Sequence, residues 1–228
     1  MDVAGRLAQE FDLNRMVVER LEQYVSLVER APLNLTAWRG DMLWERGIMD
    51  SLVMGPRLGQ ARGQGLDIGS GGGFPGMVLA IAYSASSWVL LDSRARRGDF
   101  LRETVSRLGL TNVHVVVDRA EEWIRREPTR RASFDWVTLR AVSSTAASLE
   151  LGLPYVKRSG RMMLVKGPNG AEEVREHAPW LDRLGGRVVE WISGTVQNAD
   201  GQWDQIAVIE KVSETPEIYP RHAKLLGG

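Results

Sequence analysis

The run Leu66-Asp67-Ile68-Gly69-Ser70-Gly71-Gly72-Gly73-Phe74-Pro75-Gly76 carries the strongest chemical signal in this 228-residue chain. Glycines directly after an apolar strand permit a tight turn and let backbone amides come close to a ligand. Pro75 suits the opening turn of a following helix, where its missing amide costs nothing. That helix start favours an anionic group such as a carboxylate. Two ligand classes compete for such a loop. A dinucleotide needs glycine at the first, third and sixth positions, and the sixth here is Phe74, whose bulk would crowd the pyrophosphate. Glycines at the first, third and fifth positions (Gly69, Gly71, Gly73), with an acid two residues ahead of the first, match the pattern for S-adenosyl-L-methionine. Asp67 suits a ligand bearing an ammonium and a sulfonium, and suits pyrophosphate poorly.

Other residues fall at positions where this ligand would reach. Asp92 ends the apolar run Val89-Leu90-Leu91. A carboxylate there accepts hydrogen bonds from both ribose hydroxyls in folds of this kind, although such aspartates also cap helices. Arg119-Ala120-Glu121 follows the next strand, where the adenine edge would fall; an ordinary helix start accounts for it equally well. Arg140 follows Asp135-Trp136-Val137-Thr138-Leu139, at the end of a strand facing the reacting group. Its guanidinium is a fixed fork of donors that stays charged, able to hold a cofactor carboxylate, a phosphate, or the edge of an acceptor that is already nucleophilic. On this reading Arg140 is the candidate catalytic residue, and its replacement would reduce activity with little effect on the stability of the unliganded protein.

The elements that must position these residues are legible in outline. From Gly65 onward short apolar strands alternate with helices: strands at 66–68, 88–91, 113–117, 136–139 and 161–166, helices at 75–82, 94–108 and 120–125. Such alternation implies crossover connections and a parallel sheet. Residues 188–192 and 206–210 are strand-like, joined through Gly194, Asn198, Asp200 and Gly201 with no helix between, so that pair is expected to be antiparallel. The α/β fold expected is therefore a Rossmann-like, class I S-adenosylmethionine-dependent methyltransferase sheet, mostly parallel with a C-terminal antiparallel hairpin. Before it, residues 1–30 read as helix from Leu13, Met16, Val17, Leu21, Tyr24, Val25 and Val28. Pro32 stops that pattern, and a second helical stretch runs from Met42 to Met54. Residues 1–60 are expected to form a helical cap packed on a methyltransferase domain of residues 61–228.

Composition narrows the chemistry. There is no cysteine, which removes disulfides, thiolate metal sites and the cysteine nucleophile that cytosine C5 methylation requires. The Asp/Asn-Pro-Pro-aromatic run of exocyclic amine methylation is missing after Leu139. No apolar run is long enough to span a bilayer and residues 1–10 are too polar for a signal peptide, so a cytoplasmic location is expected, with no membrane partner and no metal. The formal net charge of zero gives no sign of nucleic-acid binding.

The conjunction of marks resembles one family. Leu33-Asn34-Leu35-Thr36, Asp50-Ser51-Leu52, the glycine run ending in Phe74-Pro75-Gly76, Leu91-Asp92-Ser93, Arg140-Ala141, Lys166-Gly167 and Tyr219-Pro220-Arg221 occur in order, and together they resemble the RsmG (GidB) family of small-subunit ribosomal RNA methyltransferases. The resemblance implies methylation of N7 of a guanine in 16S rRNA, with 16S rRNA or the small ribosomal subunit as partner. It implies cofactor contacts at Gly69, Phe74, Ala120, Glu121 and Arg140; Gly71 and Asp92 are added by the loop and sheet arguments. Guanine N7 has no proton to lose, which agrees with the scattered placing of His114, His177 and His222. Two positions depart from the family: Gly47, usually histidine, and the weakly basic tail His222-Ala223-Lys224-Leu225-Leu226, usually rich in lysine and proline. Both segments are expected to contact RNA. A small-molecule methyltransferase and a non-catalytic S-adenosylmethionine-binding assembly factor are the alternatives.

Overall fold

The computed structural model describes residues 3–58, 62–197 and 200–226. Seven strands form one sheet among these residues: β1 (Gln64–Ile68), β2 (Ser87–Asp92), β3 (Val113–Val117), β4 (Phe134–Arg140), β5 (Val156–Lys166), β6 (Gly186–Gln197) and β7 (Trp203–Lys211). Their order is β3-β2-β1-β4-β5-β7-β6. The first five run parallel, and β7 lies antiparallel between β5 and β6. This is the expected mostly parallel sheet with an antiparallel hairpin. The chain winds outward from β1 to β3 and then returns to β4 beside β1. The crevice beyond the carboxyl ends of β1 and β4 is therefore a topological switch point, where open α/β sheets bind ligands.

Period-two alternation explains how the sheet is buried on both faces. Leu66, Ile68, Leu91, Val137, Leu139, Met162 and Leu164 belong to one buried cluster. The intervening Trp88, Trp136, Met163, Val165, Ile206 and Val208 pack on the opposite side. Helices α1 (Val3–Glu10), α2 (Arg15–Arg30), α3 (Asp50–Leu52), α4 (Gly76–Ala82), α5 (Ala95–Arg107), α6 (Ala120–Arg126), α7 (Thr145–Gly152), α8 (Gly170–Glu176) and α9 (Ala178–Arg183) surround it. Helix α4 is buried from Gly76 to Ile81. A helix apolar on every side needs a second layer over its outer face, and the N-terminal segment supplies it. Leu21, Tyr24, Val25 and Val28 of α2, with Leu43, Ile48 and Leu52, share one cluster with Phe74, Met77, Val78 and Ile81.

Three expectations are corrected. The stretch expected as one helix is two over its described residues 3–30, because Asp12 adopts a left-handed φ of +50° and the Asn14 side chain caps α2 by accepting from Val17 N at 3.1 Å. The stretch after Met42 opens as a π-helix over Leu43–Met49 before α3. Helices α7, α8 and α9, unread from the sequence, complete the covering of the sheet. All eight residues of α7 are buried, so it lacks the one-sided apolar stripe that reveals a helix.

Candidate active site

The glycine loop turns where the sequence requires it. Gly69, Gly71 and Gly73 have φ of +72°, +57° and +103°, a region that costs other residues about 1–2 kcal/mol. At Gly69 a Cβ would also lie 2.7 Å from Val142 Cγ2. Gly69 N and Ser70 N donate to Leu91 O at 2.7 and 3.1 Å, tying the loop to β2. From the cap, the buried Tyr24 hydroxyl donates to Gly72 O at 2.6 Å, and its ring packs 5.4 Å from that of Phe74.

Asp67 does not face a ligand, contrary to its sequence reading. It is fully buried behind the loop, where its carboxylate accepts from Thr138 Oγ1 at 2.7 Å and Gly76 N at 3.2 Å. Burial pushes the carboxyl up to about 6, against the pull of those hydrogen bonds. Its role here is to join β1, β4 and the start of α4. Asp92 is likewise engaged with the protein. One oxygen accepts from Gly71 N at 2.8 Å, the other from Arg94 N at 2.9 Å, and Arg97 Nη1 lies 3.6 Å away. The carboxylate thus fixes the glycine loop from beneath, and Ser93 next to it lines the cavity.

Two adjoining cavities open at the switch point and share Gly69, Val142 and Ser143. The first, of 430 Å³, lies between Ile68, Leu91, Asp118, Arg119, Ala120 and Glu121 on one side and Ala147, Leu151, Ala223 and Leu226 on another. The second, of 510 Å³, is walled by Leu35, Trp38, the loop from Gly69 to Gly72, Phe74, Arg140, Lys166 and Asp204. Gly69, Gly71, Phe74, Ala120, Glu121 and Arg140 are therefore brought together around one crevice, with Asp92 supporting it. Glu121 is buried and ion-paired to Arg119.

Arg140 is held far more firmly than a strand-end surface arginine. Its side chain is 8% exposed. Nη1 donates to Arg46 O at 2.7 Å, Nη2 to Asp50 Oδ2 at 3.4 Å, and the guanidinium carbon sits 4.5 Å from the centre of the Trp38 ring. Asp50 is fixed in turn by Thr195, whose N and Oγ1 donate at 2.6 and 2.7 Å, and Arg46 pairs with Asp204 at 2.8 Å. Burial lowers the Arg140 guanidinium, which Asp50 and Asp204 oppose and Arg46 reinforces; with so high an ordinary value it stays charged. The turn that follows is strained, with Ala141 at φ +52°, and it delivers Val142 and Ser143 to both cavities. Trp38, Val142 and Ser143 escaped assignment from sequence; Lys166 carried a signal only as a member of a recognised dipeptide, and Ala223 and Leu226, expected as part of an RNA-contacting tail, line the first cavity instead.

The sequence profile of the family described as rRNA small subunit methyltransferase G (GidB) matches residues 17–194. The chain belongs to this family. Among its relatives, Ribosomal RNA small subunit methyltransferase G of Thermotoga petrophila is 34% identical over 97% of this chain and 95% of its own length. The protein of the same name from Lachnoclostridium phytofermentans is 36% identical over 96% of this chain and 91% of its own. Solved structures share the fold: a putative O-methyltransferase from Klebsiella pneumoniae (16% identity, TM-score 0.61, 92% of this chain and 96% of that one) and an O-methyltransferase from Bacillus cereus in complex with SAH (17%, 0.58, 87% and 91%). The chain is accordingly an S-adenosylmethionine-dependent rRNA methyltransferase on a Rossmann-like sheet.

Within the family two departures acquire a structural meaning. Gly47 is buried, and a Cβ there would meet Phe74 Cε1 at 2.9 Å and Leu43 Cδ1 at 3.1 Å. Position 47 therefore backs the Phe74 ring and offers RNA no surface, a correction to its sequence reading. In the tail, Arg221 is a clamp: its N and Nε donate to Glu150 Oε1 at 2.8 and 2.9 Å and its Nη2 to Oε2 at 2.8 Å. Ala223 and Leu226 then close one side of the first cavity. Among the described residues no helix is long and apolar enough to cross a membrane.

Proposed function

We propose that the chain transfers a methyl group from S-adenosyl-L-methionine to N7 of a guanine in 16S rRNA, acting on the small ribosomal subunit in the cytoplasm. The observation that carries this reading is the acceptor cavity. It places a buried, permanently charged Arg140 and Trp38 opposite the glycine loop, and no histidine lines it. His177 is instead bound to Glu173 O at 2.7 Å, and His222 sits against Glu122 and Arg125 on the outside. Its two carboxylates, Glu173 and Asp204, are held in ion pairs by Lys166 and Arg46; a site whose proton acceptors are so engaged suits an atom that already offers a lone pair, as guanine N7 does.

The crevice fits the cofactor. The first cavity, apolar between Ile68, Leu91 and Leu151 with Glu121 at its edge, would take the adenosine, and Gly69 and Gly71 would let the chain pass close beneath the sulfonium. Arg140 would serve the cofactor carboxylate or guanine O6 beside N7. The donor supplies a methyl group on a positively charged sulfur, which keeps the bonding electrons when the carbon is displaced. The protein's part is to hold the base so that N7 stands in line with that carbon at about 3 Å, and to exclude water; such placement is worth on the order of 7–11 kcal/mol. The N-terminal segment would act as a cap that completes the acceptor wall through Leu35 and Trp38.

The test is methyl transfer from labelled cofactor to purified small subunits, followed by borohydride reduction and aniline cleavage. A single strand break at one guanine is expected. Label recovered only in a small molecule, or on another base atom, would overturn the proposal.

A further inference from the structure

A third groove, of 320 Å³, runs from the acceptor cavity across the start of α5. It is lined by Leu33, Asn34 and Leu35 of the cap and by Arg94, Arg96 and Arg97. Leu35 and Arg97 belong to both the groove and the acceptor cavity, so the two are continuous. Arg94 and Arg96 are exposed, and among the described residues neither has a carboxylate within ion-pair distance. Further along α5 the pattern is different: Arg102 pairs with Asp99 at 3.1 Å and Arg107 with Glu103 at 2.6 Å. The unpaired cations also stand at the positive end of a helix, where like charge is unfavourable. Local stability therefore gives no reason for them, and a ligand does.

We propose that Arg94, Arg96 and Arg97 form a docking ridge for the phosphates of the RNA strand flanking the target nucleotide, feeding the base into the cavity beside Trp38 and Arg140. The inference rests on the RNA substrate proposed above. With a formal net charge of zero the chain has no overall field to attract a polyanion, so attraction must come from a local concentration of this kind. The groove offers no carboxylate among its lining residues, and its arginines present the fork that matches phosphate oxygens.

The experiment compares the full chain with the double variant Arg94→Glu/Arg96→Glu and a control of equal charge change, Arg62→Glu/Arg158→Glu. The control residues lie at the opposite end of the sheet, Arg62 beside Lys157 and Asp135. Transfer to small subunits is measured against subunit concentration at 50 and 200 mM salt, alongside calorimetric cofactor binding and thermal melts. For the ridge variant KM should rise at least tenfold with cofactor affinity unchanged. The fourfold rise in salt should cost the wild type roughly tenfold more than the variant, as the loss of two phosphate contacts implies. Its melting point should hold or rise, since two cations leave the positive end of a helix. Equal KM and equal salt dependence in the ridge and control variants would overturn the docking ridge while leaving the RNA substrate in place. A wild type that methylates no RNA would overturn both.

Discussion

Removing the Arg140 side chain should cost stability as well as activity, because the guanidinium is the centre of a buried network and not a free ligand group. Arg140→Ala deletes a charged donor to Arg46 O at 2.7 Å, a weaker contact to Asp50 at 3.4 Å, and a stack on Trp38 at 4.5 Å. Asp50, 2% exposed, is left with both Thr195 bonds on Oδ1 and none of the guanidinium on Oδ2. A charged hydrogen bond is worth about 1.5–3 kcal/mol, the stack roughly 0.5–2 kcal/mol, and breaking a buried pair roughly 3–5 kcal/mol in all. Arg140→Ala is therefore expected to lower unfolding free energy by about 3–5 kcal/mol. Arg140→Lys keeps the charge but not the fork, and should lose about 1–2 kcal/mol. Urea titration of the unliganded protein reads both values. Methyl transfer at a temperature where each variant is folded should fall about ten- to a hundredfold in both. Coupling Arg140→Ala with Asp50→Asn in a double-mutant cycle should give a non-additivity of roughly 0.5–3 kcal/mol. A denaturation midpoint for Arg140→Ala equal to the wild type would refute the network, and with it the view that a cap-to-strand lattice aims this arginine.

Four further outcomes follow from the loop and its supports. Tyr24→Phe leaves Gly72 O without its buried donor and should cost about 1–3 kcal/mol with a weaker calorimetric cofactor affinity. Gly69→Ala should abolish cofactor binding, since its Cβ would stand 2.7 Å from Val142, whereas Gly71→Ala, whose Cβ has nothing nearer than 3.6 Å, should lose only the roughly 1–2 kcal/mol of its left-handed φ. The Asp67 carboxyl is raised from 3.8 to about 6 by burial. Its stabilising contribution is present below the unfolded value and disappears as pH rises through 6; the wild type minus Asp67→Asn difference in unfolding free energy should therefore shift by about 2 kcal/mol against the wild type between pH 4 and 7, and a flat difference would sink this reading. Ala141→Gly relieves φ +52° and should raise the melting point slightly or leave it unchanged, while loosening Val142 and Ser143 enough to weaken cofactor binding.

Legibility in the sequence followed the range of the forces involved. The glycine loop, the strand ends at Asp92 and Arg140 and the start of α6 were readable because each is set by neighbours in the chain: a turn needing positive φ, an apolar run ending, a helix beginning. What those residues touch was not readable. Asp67 belongs to the loop's motif and Asp92 ends the next strand, yet the fold turns both carboxylates onto backbone amides at Gly76 and Gly71, a choice made by how α4 and β2 approach. Trp38 gave no signal, since an isolated tryptophan after Thr36-Ala37 has no period; only tertiary packing lays its ring on Arg140. Helix α7 was hidden for the opposite reason, being enclosed on every side by β4, Trp180 and the Arg221 clamp on Glu150.

The two halves of the crevice consequently depend on different parts of the chain. The cofactor half is built chiefly by consecutive strand ends, β1, β2 and β3, with the tail residues Ala223 and Leu226 as its outer side. The acceptor half is assembled from segments far apart in sequence: Leu35 and Trp38, Arg46 and Asp50 of the cap, Arg140 of β4, Thr195 of β6 and Asp204 of β7. Substitutions in the cap or the hairpin can thus reshape the acceptor wall while the glycine loop keeps its turn. Position 47 illustrates the coupling between the halves. With no side chain there, Phe74 settles against the π-helical turn, its edge toward Trp38 at 6.2 Å between ring centres. A histidine at 47 would have to displace the Phe74 ring, and the displacement would pass to Trp38 and so to the face on which Arg140 rests. The identity of residue 47 therefore tunes the acceptor wall from inside the protein, through packing and without contact to the RNA.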